Sequence, residues 1–152
     1  MTDQDTVQNQ PPKTPAVAPA ETGSSEAPTH KYKVLIVEDD PLIVKMYNAK
    51  FLHEGFTVLT AEDGMTGLEL ALKEVPDFMV LDIMMPRLSG IDLLEKLRTD
   101  TNGKNIPVLV LTNLSEKDEQ QRALELGAKE YLLKANLTPG EVVMKIKKYL
   151  GE

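Results

Sequence analysis

The chain has 152 residues, 41% hydrophobic and 27% charged, with a formal net charge of −7. That length favours one domain, no apolar run approaches the roughly 20 residues of a spanning helix, and the N-terminus lacks the basic and apolar regions of a secretory signal. The acidic balance argues against nucleic acid as the main partner, the lack of Cys excludes disulfides and thiolate metal sites and fits a reducing, cytoplasmic setting, and the lack of Trp leaves an aliphatic core.

Residues 1–30 hold five of the ten prolines and carry a charge of −3, leaving −4 for the remainder. Their apolar residues are small and aperiodic, too few to offset the entropy of ordering. A disordered tail, passive or acting as a tether, is expected there.

From Lys31 the sequence alternates short apolar runs with amphipathic stretches. Strands are expected at 33–37, 56–60, 78–81, 107–111 and 130–133. Helices are expected at 41–54, 64–74, 89–99, 115–126 and 139–150. Pro41 after Asp40 reads as a first helical residue after its cap. Gly55 and Gly127 read as helix ends, and Thr138-Pro139-Gly140-Glu141 as a capping box. Strands separated by helices imply right-handed crossovers and a parallel sheet buried on both faces. The first and third runs are the most continuously apolar and should be central. The expected fold is α/β: a flavodoxin-like, doubly wound, five-stranded parallel sheet of order 2-1-3-4-5 with five flanking helices. Ligand sites in such sheets lie beyond the strand C-termini, where the strand order reverses.

Chemistry-bearing residues stand at those ends. The first strand runs into Glu38, Asp39 and Asp40, the third into Asp82, the fourth into Thr112 and the fifth into Lys134. No glycine-rich loop follows the first strand, so a phosphate cradle of the nucleotide-binding type is absent. Crowded carboxylates oppose one another's ionisation unless a cation joins them, and oxygen ligands suit a hard divalent ion. The set suits phosphoryl transfer to a carboxylate. Asp82, at the tip of the middle strand, would attack phosphorus; Asp39 and Asp40 would hold the metal; Lys134 and Thr112 would meet the phosphoryl oxygens. Taken singly, each residue has an ordinary reading: Asp40 as a helix N-cap, Asp39 as a solvated acid, Lys134 as a surface lysine, Thr112 as a strand end. Their joint placement at four strand ends favours the site.

Residues 32–150 resemble the receiver domain of two-component response regulators. The resemblance rests on Leu35-Ile36-Val37-Glu38-Asp39-Asp40, on Asp82-Ile83-Met84-Met85-Pro86 with Ser89-Gly90, on Thr112, and on Tyr131-Leu132-Leu133-Lys134. It implies a receiver domain over 31–152 in which Asp82 accepts a phosphoryl group from a phosphohistidine of a histidine kinase or a histidine phosphotransfer protein. It implies Mg²⁺, with Mn²⁺ as a substitute, bound by Asp39, Asp40, Asp82 and the backbone carbonyl of Met84. Thr112 and Tyr131 would form a switch pair that alters the surface of the last two helices and the fifth strand. Because the chain ends at Glu152, just after its last expected helix, a stand-alone receiver is expected. It would signal through a downstream protein or a phosphorelay, without direct nucleic-acid contact or membrane insertion, and homodimerisation is left open. Such a protein is a switch and not a turnover enzyme.

Two positions depart from the family pattern. Ala135 follows Lys134 where proline is usual, so the bond should be trans, or else a strained cis bond. Asn113 replaces a small residue after Thr112. Two other classes compete with the switch. One is an unphosphorylated pseudo-receiver that only binds partners. The other is a metal-dependent aspartyl phosphatase, which would need a second acid near Asp82 as general acid, where the sequence has Ile83 and Met84.

Overall fold

A computed structural model describes residues 32–152; the tail expected at 1–30 lies outside the described residues. In chain order the elements are β1 (Lys33–Val37), α1 (Pro41–His53), β2 (Thr57–Ala61), α2 (Gly64–Glu74), β3 (Phe78–Leu81), α3 (Gly90–Arg98), β4 (Val108–Thr112), α4 (Lys117–Glu125), β5 (Glu130–Leu133) and α5 (Pro139–Tyr149). All five strands pair in parallel in the order β2-β1-β3-β4-β5. The expected topology is therefore observed, and each strand lies within a residue of its expected bounds.

Alternation along each strand builds two cores from one sheet. Val34 and Ile36 of β1, Phe78 and Val80 of β3, and Leu109 and Leu111 of β4 face one side. There they meet Tyr47 and Phe51 of α1 and Val142, Val143 and Ile146 of α5. Leu35, Val37, Met79, Leu81, Val108 and Val110 face the other side, against Ala71 of α2, Leu93, Leu94 and Leu97 of α3, and Ala123 of α4. Each such large side chain contributes about 1.5–3 kcal/mol by leaving water. The aliphatic core inferred from composition is thus two layers, with only Phe51, Phe56, Phe78 and Tyr47 as its fully buried aromatics.

The helix ends follow the local signals. Thr138 Oγ1 accepts from the Glu141 N–H at 3.2 Å, and Glu141 Oε1 accepts from the Thr138 N–H at 2.8 Å, completing the capping box. Gly127 has φ +87°, the left-handed conformation that ends α4 without steric cost. Helix α4 is shorter than the expected 115–126. Its cap, Glu116, makes no side-chain capping hydrogen bond, and Ala123 is its sole buried residue, so neither end signal nor packing extends it. A further element was not foreseen: Lys134–Asn136 form a short 3₁₀ turn after β5. No cis peptide bond occurs among the described residues, so Lys134–Ala135 is trans. No helix among the described residues is long and apolar enough to cross a membrane.

Candidate phosphoryl-acceptor site

The sheet register carries the acids to one place. Val37 of β1 pairs with Leu81 of β3, and the ladder continues one step beyond both strands. The Asp82 N–H donates to the Val37 carbonyl at 3.0 Å, and the Glu38 N–H donates to the Ala61 carbonyl at 2.9 Å. Glu38 and Asp82 therefore leave adjacent strand tips side by side, each only 4% exposed. Thr112 closes β4 and is fully buried. Its register partner is Leu133 of β5, so Lys134 comes next along the same edge.

Lys134 spans the two buried acids. Its Nζ lies 2.6 Å from Glu38 Oε1 and 3.0 Å from Asp82 Oδ2. Burial works to lower the Lys134 pKa, but the hydrogen bonds and charges of Glu38 and Asp82 outweigh it, and the pKa is raised. Glu38 is raised as well: burial dominates over the Lys134 contact and the Asp40 N–H, and the Asp82 charge adds to it. The 3₁₀ turn at Lys134–Asn136 aims the ammonium inward although Ala135 stands where proline was expected.

Carboxylate oxygens of Glu38, Asp39 and Asp82 lie within 4.8 Å of one another. Three carboxylates and one ammonium leave a net charge of −2 at this point. Hard oxygen donors with that residual charge fit a small divalent cation. The group differs from the expected one in a single member. Asp40 is not in it; the Asp40 carboxylate Oδ1 instead caps α1, accepting from the Leu42 N–H at 3.0 Å. Its ordinary reading as an N-cap is the one the geometry follows. Glu38 takes the place beside Asp39, and its Oε2 also accepts from the Asp40 N–H at 3.0 Å. The signal that could have found it was strand length: the last ladder residue, Val37, leaves Glu38 as the first residue at the edge.

The loop after Asp82 is tightly folded. Asp82 Oδ1 accepts from the Met84 N–H at 3.2 Å. The Leu88 N–H donates to the Pro86 carbonyl at 2.8 Å across Arg87, whose φ is +72°, a tight γ-type turn. Gly90 then passes so close that an added Cβ would stand 2.2 Å from the Asp82 carbonyl oxygen. On the opposite side, Thr112 Oγ1 accepts from the Leu114 N–H at 3.2 Å, and the Tyr131 hydroxyl donates to the Leu114 carbonyl at 2.5 Å. One residue, Leu114, thus links the two side chains of the expected switch pair. The Tyr131 pKa is raised by burial first, then by the negative charges of Glu119, Asp82 and Glu116.

Comparison with known proteins places this geometry in context. Residues 34–147 match the family model described as the response regulator receiver domain. A probable transcriptional regulator, ycf27 of Guillardia theta, is 38% identical over 120 residues, covering 79% of this chain and 46% of that protein. The chain thus spans about half the length of such curated relatives. Among solved structures, Vibrio cholerae chemotaxis protein CheY4 superposes with a TM-score of 0.71 at 28% identity, covering 77% of this chain and 97% of that one. A chain of the CheX–CheY–BeF3–Mg²⁺ complex of Borrelia burgdorferi superposes with a TM-score of 0.72 at 28% identity, covering 80% and 90%.

Proposed function

This chain belongs to the response regulator receiver family, and on that premise we propose that it is a signalling switch phosphorylated at Asp82. The donor is a phosphohistidine on a histidine kinase or a histidine phosphotransfer protein, and the setting is cytoplasmic. The observation that carries the reading is the position of Asp82: at the tip of the central strand, 4% exposed, with an ammonium 3.0 Å away and two further carboxylates grouped with it.

In the reaction an Asp82 carboxylate oxygen attacks phosphorus in line, and the bond from phosphorus to the imidazole nitrogen breaks. The Met84 N–H and Lys134 fix the carboxylate before attack. Lys134 then stands ready to pair with a phosphoryl oxygen. Glu38 holds the same ammonium at 2.6 Å, so Lys134 keeps its aim when Asp82 is modified. Asp39, Asp82 and the Met84 carbonyl, with Glu38 close by and Asp40 set aside as a cap, are the residues that would hold Mg²⁺. Bound there, the ion would supply the positive charge that offsets the crowded oxygens of acceptor and donor.

The switch uses Thr112 and Tyr131. The Thr112 hydroxyl accepts from Leu114 and keeps its own proton free to donate. A phosphoryl oxygen at Asp82 would draw that proton and shift Leu114, and with it the carbonyl that holds Tyr131. The result is a population shift between two arrangements of the β4–α4 segment, not a new fold. The face made by α4, β5 and α5 would then meet a downstream protein or the next member of a phosphorelay.

The test is incubation of the full chain with Mg²⁺ and a small phosphodonor, followed by intact mass spectrometry. One acid-stable, base-labile phosphoryl group on the chain and none on Asp82→Asn is the expected result. Equal labelling of Asp82→Asn would refute the acceptor assignment. Sustained hydrolysis of a phosphate monoester, whose alkoxide leaving group needs a general acid, would instead favour a phosphatase.

A further inference from the structure

A groove of about 500 Å³ opens between the β3–α3 loop and α4, reaching the acceptor site through Asp39 and Ile83, the residue after Asp82. Its walls are largely apolar, including Met84, Met85 and Leu114, and its two charged lining residues are Asp39 and Glu119. No cation lines it. Asp39 belongs to the carboxylate group described above. Glu119 does not: it sits in the first turn of α4, half-buried, and makes no side-chain hydrogen bond or ion pair among the described residues. Its charge reaches the neighbouring Tyr131, whose pKa it helps to raise after burial.

We propose that Glu119 sets the charge selectivity of this groove, slowing phosphoryl transfer from dianionic small phosphodonors more than from less charged ones. The inference rests on the assignment of Asp82 as acceptor. The plain competing reading is that Glu119 only complements the α4 dipole, as any first-turn acid does. Asp118, its exposed neighbour in the same turn, would serve that purpose equally but does not line the groove. The pair therefore separates helix stabilisation from action on the donor.

Two donors make the charge visible. Acetyl phosphate is a dianion near neutral pH; as the Asp82 oxygen bonds to phosphorus, the acyl oxygen–phosphorus bond breaks and acetate leaves with the electron pair. Phosphoramidate is a monoanion carrying its proton on nitrogen; the phosphorus–nitrogen bond breaks and ammonia leaves with the pair and that proton. For a charge separation of about 10 Å in water, removing the Glu119 charge should speed transfer about fourfold for the dianion and about twofold for the monoanion. Glu119→Lys should roughly square both factors. In about 0.5 M salt both should approach unity, since screening is then complete within a few ångströms.

The experiment measures initial labelling rates of the full chain, with saturating Mg²⁺, by intact mass spectrometry for wild type, Glu119→Gln, Glu119→Lys and Asp118→Asn. The expected result is a larger, salt-sensitive gain with acetyl phosphate than with phosphoramidate, in the Glu119 variants alone. Equal gains with both donors, no gain, or the same gain from Asp118→Asn overturns the inference while leaving Asp82 as acceptor. Absence of labelling in the wild type by both donors overturns the acceptor assignment and the inference together.

Discussion

Lys134→Met tests the energetics of the site most directly. The Lys134 side chain is 13% exposed and the side chains of the two acids it contacts are each 5% exposed. Removing it leaves two neighbouring buried carboxylates without a cation. Breaking a buried pair in this way costs about 3–5 kcal/mol, because the remaining charge is uncompensated. At the lower end, and with a urea slope of about 2 kcal/mol per M, the unfolding midpoint should fall by about 1.5 M. The loss should depend on pH in a definite sense. Glu38 has a raised pKa, so its contribution to stability is full below the ordinary carboxylate value and is lost as pH rises through the raised one. Lys134 is also raised, so its contribution is present below the ordinary lysine value and lost only in strong alkali. Without the ammonium Glu38 rises further, so the variant should recover relative to wild type on acidification from neutral pH to about pH 5. Urea unfolding with a chelator present, at both pH values, measures this. A loss below about 0.5 kcal/mol, or one that does not shrink in acid, would refute the account of Lys134 as the cation that makes the acid cluster tolerable.

Four other outcomes are expected. Asp40→Ala should cost about 1 kcal/mol as a lost helix cap and leave Mg²⁺ affinity within about twofold, whereas Asp39→Ala should weaken it about tenfold or more; calorimetric titration of both variants separates the roles. Gly90→Ala should destabilise by about 2 kcal/mol or more, since the new Cβ would meet the Asp82 carbonyl at 2.2 Å, measured by urea unfolding. Tyr131→Phe should cost about 1 kcal/mol through the lost bond to Leu114 and reduce the chemical-shift changes of α4 and β5 on adding Mg²⁺ and beryllofluoride. Deleting residues 1–30 should leave the melting temperature within about 2 °C, because a proline-rich stretch whose apolar residues are small has little surface to bury.

The fold was legible because continuous apolar runs, the amphipathic stretches between them and the terminal signals agree with one another. Val34 to Val37 announce a strand buried on both faces, and the Thr138–Glu141 box announces α5. Asp82, Thr112 and Lys134 were legible as neighbours because a parallel sheet puts all its strand C-termini on one edge. What was not legible depends on single dihedral angles. Glu38, Asp39 and Asp40 are three successive acids, and only the point where β1 ends decides which of them face Asp82 and which caps α1. The turn at Lys134–Asn136 carries no sequence signal of its own. Glu119 could not be found by reading along the chain, because its relation to Asp39 is created by the packing of α4 beside the β3–α3 loop.

The two sides of the site are held by different numbers of backbone hydrogen bonds and buried contacts, and under the proposed switching that difference sets the direction of movement. Glu38 and Asp82 are fixed by ladder hydrogen bonds that run past the ends of β1 and β3, and Gly90 packs against the Asp82 carbonyl without room for a methyl group. A charge added at Asp82 cannot be accommodated by moving this side without breaking sheet hydrogen bonds. The other side is held by fewer contacts. Thr112 is anchored in β4, but beyond it the chain is tied by the Leu114 bonds to Thr112 and Tyr131, and α4 has one buried residue and no side-chain cap. Local opening follows the path with the fewest buried contacts and backbone ladders to break. New charge at Asp82 should therefore be relieved by displacement of residues 113–119, carrying Tyr131 and Glu119 with it, while β1, β3 and α1 stay in place.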